Sequence, residues 1–115
     1  MSRRRWLLGS LALASGALAS GAAQAFDWSV TAHVTMVEAT YMPAQVTFLI
    51  DQAGGSCAAG QTLSWTAAGS DSTLLSANAS AVFSLLMTAK VSGQAVTLFG
   101  SNSGCSIQFV HLGSI

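Results

Sequence analysis

Positive charge is what this sequence most plainly lacks. Three of its four basic residues stand together as Arg3, Arg4 and Arg5, and Lys90 is alone in the rest of the chain. Nucleic-acid binding draws much of its affinity from Lys and Arg side chains that neutralise phosphates, and attachment to anionic lipid needs a polybasic cluster. The chain beyond Arg5 can build neither. Charged residues of both signs make up only 7% of the total, against roughly a quarter in an ordinary soluble domain, so disorder driven by charge is excluded as well. The glycine pair Gly54-Gly55 lacks the downstream lysine of a phosphate-cradling loop. At 115 residues the chain has room for one domain and not for a second.

What is present begins with an address. Arg3 to Arg5 form a positive end, Trp6 to Ala19 an apolar stretch lightened by Gly and Ser, and Ala23-Gln24-Ala25 a small-residue cleavage site. This pattern predicts an export signal over residues 1–25, cleaved after Ala25. Ser2 to Leu7 also partly matches a twin-arginine export motif. The apolar stretch is short and rich in Gly and Ser for a membrane span, so no stable membrane insertion is expected after cleavage. Residues 26–115 would then carry Lys90 against Asp27, Glu38, Asp51 and Asp71, a formal charge of −3. A periplasmic or secreted destination is expected.

From Trp28 the residues alternate. Trp28, Val30, Ala32, Val34 and Met36 share one side, and Ser29, Thr31, His33 and Thr35 the other. That period of two predicts a half-buried strand. Tyr41-Met42-Pro43 interrupts it, and Pro43 suits a strand start or edge. Val46, Phe48 and Ile50 mark a second strand, and Leu63 and Trp65 a short third one, after a Gly/Ala/Ser loop. Leu75, Ala79, Val82, Phe83, Leu86 and Ala89 then recur in steps of three and four, an amphipathic helix with Ser, Thr or Asn nearby to cap its start. Lys90 falls in its last turn, and Gly93 is placed to close it. Ala95 to Phe99 and Cys105 to Leu112 make the last two strands. The order β-β-β-α-β-β predicts a mainly β OB-fold-like five-stranded Greek-key barrel with one helix between strands three and four. An open α+β sheet carrying one helix is the alternative.

Cys57 and Cys105 are the chain's two cysteines. In an oxidising compartment such a pair predicts one disulfide. A metal site completed by His33 and His111 lacks the Cys-x-x-Cys or His-x-x-x-His spacings of convincing ligand sets. No metal and no cofactor is expected.

Ser84 to Leu98, with Leu85-Leu86 before Ala89, the Ser92-Gly93 turn and the Val96 strand, followed by Gly104-Cys105, is similar to a pattern in small exported bacterial OB-fold proteins. These resemble the pentameric binding subunit of subtilase cytotoxin. The resemblance spans roughly residues 73–105, and its residues are mostly structural. It implies the fold and the disulfide, and in the toxin subunits ring assembly and sugar binding on an exposed barrel face.

Catalytic pairings are hard to find. Ser29 and His33 lie four residues apart on a strand, about 13 Å, too far to share a proton. Glu38 and Asp51 end the first two strands and would meet only if a hairpin brought those ends together. The chain therefore reads as a non-catalytic binding module. Ser29, Thr31, His33 and Thr35 give a hydroxyl-rich face, and Tyr41, Trp28 or Trp65 offer an apolar platform for a sugar ring. Partners are a glycan or another exported protein, and the sparsely charged surface predicts homo-oligomers. Intact-mass measurement of the exported chain should find it two hydrogens lighter than its reduced form; equal masses would refute the Cys57–Cys105 bridge.

Overall fold

The computed structural model describes residues 26–114. The expected export signal, residues 1–25, lies outside them. Among the described residues six strands and one helix follow in order: β1 (Trp28–Ala32), β2 (Val34–Glu38), β3 (Gln45–Ile50), β4 (Leu63–Thr66), α1 (Ser72–Ser92), β5 (Val96–Gly100) and β6 (Ile107–Leu112). They form two three-stranded antiparallel sheets, ordered β1-β5-β6 and β2-β3-β4. The fold is mainly β, with the helix between the second hairpin and the last one. The ladders do not close into the expected five-stranded barrel, nor is there one open sheet. Between β4 and the residue just before β6 the described residues show one isolated parallel bridge, Ser64 to Ser106, with the Ser64 N–H donating to the Cys105 carbonyl at 3.3 Å.

The expected first strand is two. It breaks at His33: β1 pairs with β5, and β2 pairs with β3. The register between β2 and β3 then slips between Val34 and Met36. A bulge of this kind shifts which residues face inward. Met36, expected on the core side, is consequently 43% exposed, and Val37 packs against the core in its place.

The core gathers Val46, Phe48 and Ile50 of β3, Leu63 of β4, Val96 and Leu98 of β5, and Ala79, Val82, Leu86 and Ala89 of α1. The expected helical stripe is thus the buried one. Its start is capped by Asp71, whose carboxylate accepts the Leu74 N–H at 2.9 Å. The cap is an acid where Ser, Thr or Asn was expected, and it meets the positive end of the helix dipole. Gly93 closes the helix at φ 75°, its N–H donating to the Ala89 carbonyl. Every fourth residue along α1 is a hydroxyl: Ser72, Ser76, Ser80, Ser84, Thr88 and Ser92, all exposed.

Trp28 is the other anchor. It stands directly opposite Gly100 in the β1–β5 ladder, and a methyl group on Gly100 or Gly54 would collide with its ring. The indole lies flat in a slot that only glycines leave open. Its N–H is buried without a protein acceptor, so shape rather than polarity holds the ring. The disulfide Cys57–Cys105, with Cα atoms 5.9 Å apart, joins the loop after β3 to the loop before β6 beside this slot. Closing a 48-residue separation is worth about 4 kcal/mol in the chain-entropy model. Gly100→Ala should cost about 1–3 kcal/mol through overpacking against Trp28, read as a lower midpoint in urea unfolding followed by tryptophan fluorescence. An unchanged midpoint would show that the ring does not rest on that strand.

Candidate functional site

Alternation sorts the β1-β5-β6 sheet into two faces. Trp28, Val30 and Ala32 turn inward with Val96 and Leu98, leaving Ser29 and Thr31 on the outside. The ladders then fix two rows across the outer face. Ser29 lies opposite Phe99, and Phe99 opposite Phe109; Thr31 lies opposite Thr97, and Thr97 opposite His111. Strands in such a sheet stand ~4.8 Å apart, and successive rows on one face ~6.8 Å. One row is aromatic and the other polar.

Phe26 joins the aromatic row from just before β1. Its ring centroid is 4.8 Å from that of Phe99 and 6.4 Å from that of Phe109, while Phe99 and Phe109 are 5.8 Å apart. The rings meet edge to face, the arrangement their quadrupoles favour. The His111 ring sits 5.5 Å from Phe99, also edge-on. Phe26, Phe99, Phe109 and His111 line an open hollow of about 370 Å³, within the range of small-molecule sites. Phe109 is 45% exposed, a large apolar ring offered to solvent.

In the polar row the hydrogen bonds have a direction. The Thr97 hydroxyl donates to the Gly113 carbonyl at 2.8 Å. Its one proton is thereby used, so the 3.1 Å contact between the Thr31 and Thr97 hydroxyls is donated by Thr31. Thr97 is buried and Thr31 exposed. Thr31 thus presents only lone pairs outward: it is an acceptor on this face.

Of the five residues expected to bind a ligand, Ser29 and Thr31 lie on this face and His33, Thr35 and Tyr41 do not join them. The strand break places His33 at the corner between the sheets, where its backbone N–H donates to the Asp51 carboxylate at 2.8 Å and its Nδ1 lies 3.5 Å from the second oxygen. Thr35 sits in the β2 bulge on the other sheet. Tyr41 is in the turn between β2 and β3, where its carbonyl accepts from the Ala44 N–H, and its ring is exposed. Trp28 is buried, and the Trp65 indole N–H donates to Asn78 at 2.8 Å, so neither offers a platform here. The phenylalanines take that role. Phe99 could have been found from Thr97-Leu98-Phe99, and Phe109 and His111 from the same alternation around Val110, had these strands been read for their outer faces.

The remaining titratable groups pair locally. Glu38 accepts from Thr47 at 2.8 Å and from Thr40 at 3.0 Å. Asp51 is at the other end of the β2–β3 hairpin, since Val34 pairs with Ile50 and Glu38 with Thr47. The hairpin therefore parts these two carboxylates rather than bringing them together. Both cysteines are in the disulfide, and among the described residues no three His, Cys, Asp or Glu side chains gather as metal ligands do.

Asp51 is held below the ordinary carboxylate range, first by the His33 backbone N–H and further by attraction to the imidazole. A depressed carboxyl stabilises the fold above its unfolded value, near 4, and that contribution is lost as pH falls through the folded value. Asp51→Ala should therefore lower stability at neutral pH, and the gap from the unmutated chain should narrow as the pH is taken below 4. A gap constant down to pH 2 in urea unfolding would contradict this. Comparison of the chain with protein-family models, with curated proteins and with solved structures gives no match.

Proposed function

We propose that this chain is an exported, non-catalytic carbohydrate-binding module that takes a sugar ring on the outer face of β1-β5-β6. The observation that carries the reading is an exposed aromatic row, Phe26, Phe99 and Phe109, one register step from a polar row in which Thr31 is a fixed acceptor. A sugar has the matching two-sided character: a C–H-rich face that packs on aromatic rings and a rim of hydroxyls that hydrogen-bond. The disulfide accords with export to an oxidising compartment.

The finer architecture we read as an OB-type barrel, a form that is partly open by nature. Support comes from β1 and β2 as halves of one bent strand that serves both sheets, and from the parallel bridge between Ser64 and Ser106 at the seam. Self-association is the companion proposal. It rests on α1, where Leu74, Met87 and Val91 are 50%, 37% and 81% exposed and Lys90 is the one charged residue. Sedimentation that stays monomeric at high concentration would remove this companion reading and leave the sugar site standing.

The sugar site is tested on a glycan array followed by calorimetry on the strongest hit. Phe109→Ala should weaken binding about tenfold or more, the loss of ~1.4 kcal/mol of ring contact. Thr31→Val, which keeps the shape and removes the acceptor, should weaken it about fivefold. Tyr41→Ala and His33→Ala should leave it unchanged. An array without hits, or binding indifferent to Phe109→Ala, would overturn the proposal.

A further inference from the structure

We infer that the ligand on this face is an uncharged sugar that lays an apolar edge, such as a methyl group, across the phenylalanines, and that acidic sugars are rejected. The inference rests on the carbohydrate reading above and narrows it by charge and by hydrogen-bond direction.

The aromatic row dictates how a ligand sits. With centroids 4.8, 5.8 and 6.4 Å apart at interplanar angles of 66°, 90° and 87°, the three rings touch one another. Contacting carbons already stand at ~3.5–4.0 Å, so no group inserts between the rings. A quaternary ammonium enclosed between the rings, as in an aromatic cage, is not accommodated. The ligand lies across the open hollow and meets the rings through C–H groups, which are drawn to the negative ring faces. A methyl substituent fits that surface better than a hydroxyl, whose hydrogen bonds to water the phenylalanines cannot replace.

Hydrogen-bond direction at Thr31 selects against a second class. Thr31 has spent its proton on Thr97, and Thr97 has spent its own on Gly113. The partner of Thr31 must therefore bring a proton: a sugar O–H or an amide N–H serves. A carboxylate or sulfate has only lone pairs and would face lone pairs at Thr31.

Charge points the same way. The chain's one lysine, Lys90, is in the last turn of α1 and not on this face. The charged residue nearest in sequence is Asp27, between Phe26 and Trp28, with its carboxylate accepting the Asn102 N–H at 2.9 Å. An anionic sugar would surrender hydration for a face that carries no Lys or Arg, within a domain whose formal charge beyond residue 25 is −3.

The test is a two-dimensional amide NMR titration of the full exported chain at pH 8 with three probes. These are methyl α-L-fucopyranoside, the methyl glycoside of N-acetylneuraminic acid, and the methyl ester of that same glycoside. The fucoside should shift the amides of Phe99, Phe109 and His111 and bind at least tenfold more tightly than the acid. Esterification should restore binding to within a few-fold of the fucoside, since the acid and its ester differ at one carboxyl. In Thr31→Val the fucoside should bind several-fold more weakly while the remaining amides keep their positions. If the acid binds at these amides as tightly as the fucoside, the inference fails and the carbohydrate reading survives. If none of the three probes moves these amides, both fail.

Discussion

One strand has to serve two sheets, and the corner at His33 is where it does so. A strand that changes sheets leaves backbone groups at the turn without ladder partners, which must pair elsewhere or with water. Here the orphans find Asp51. The His33 N–H goes to the Asp51 carboxylate and the Asp51 N–H returns to the His33 carbonyl at 3.1 Å. The reciprocal pair ties the corner between β1 and β2 to Asp51, the residue just after β3. Were the corner displaced by one residue, the alternation in both strands would invert: Trp28 would leave its slot and Ser29 would enter the core. The two rows on the outer face of β1-β5-β6 exist because this corner holds its place.

The second constraint is that a domain this small has little core to spend. Its fully buried side chains are few: Val46, Phe48, Leu86, Val96 and Leu98 centre the cluster. Small domains bury a lower fraction of their surface and lean on covalent staples. The Cys57–Cys105 bridge supplies one, and it closes the two loops that flank the Trp28 slot. The indole, the glycines beneath it and the sulfurs thus form one unit at one end of the β1–β5 ladder. The aromatic row lies on the opposite face of the same strands, so its geometry is set by rigid elements rather than by loops.

Much of this was legible in the order of residues, because periodicity reports burial. The helix, its buried stripe and its closing glycine follow from spacing alone, and the bridged cysteines from their number. Two things were not legible. The break at His33 and the bulge after Val34 leave the alternation of Trp28 to Met36 unbroken on paper, since a bulge is a matter of pairing and pairing is long-range. Hence Thr35 was assigned to the face that holds Ser29 and Thr31, and Met36 to the core. The outward phenylalanines show in the alternation of β5 and β6, but the row they form does not, because Phe99 and Phe109 become neighbours only through the β5–β6 register. Asp71, by contrast, was readable as a helix cap, standing three residues before the Leu74 N–H that it accepts.

The hydroxyl ribbon on α1 has a consequence for how the domain meets its surroundings. A surface helix ordinarily stays hydrated through ionised side chains, whose effect depends on counterions and on proton concentration. The series from Ser72 to Ser92 does the same service with neutral dipoles. These hydroxyls neither titrate nor gather counterions, so the part of the helix's hydration that they hold varies less between fresh water, brine and an acidified medium than that of a charged row.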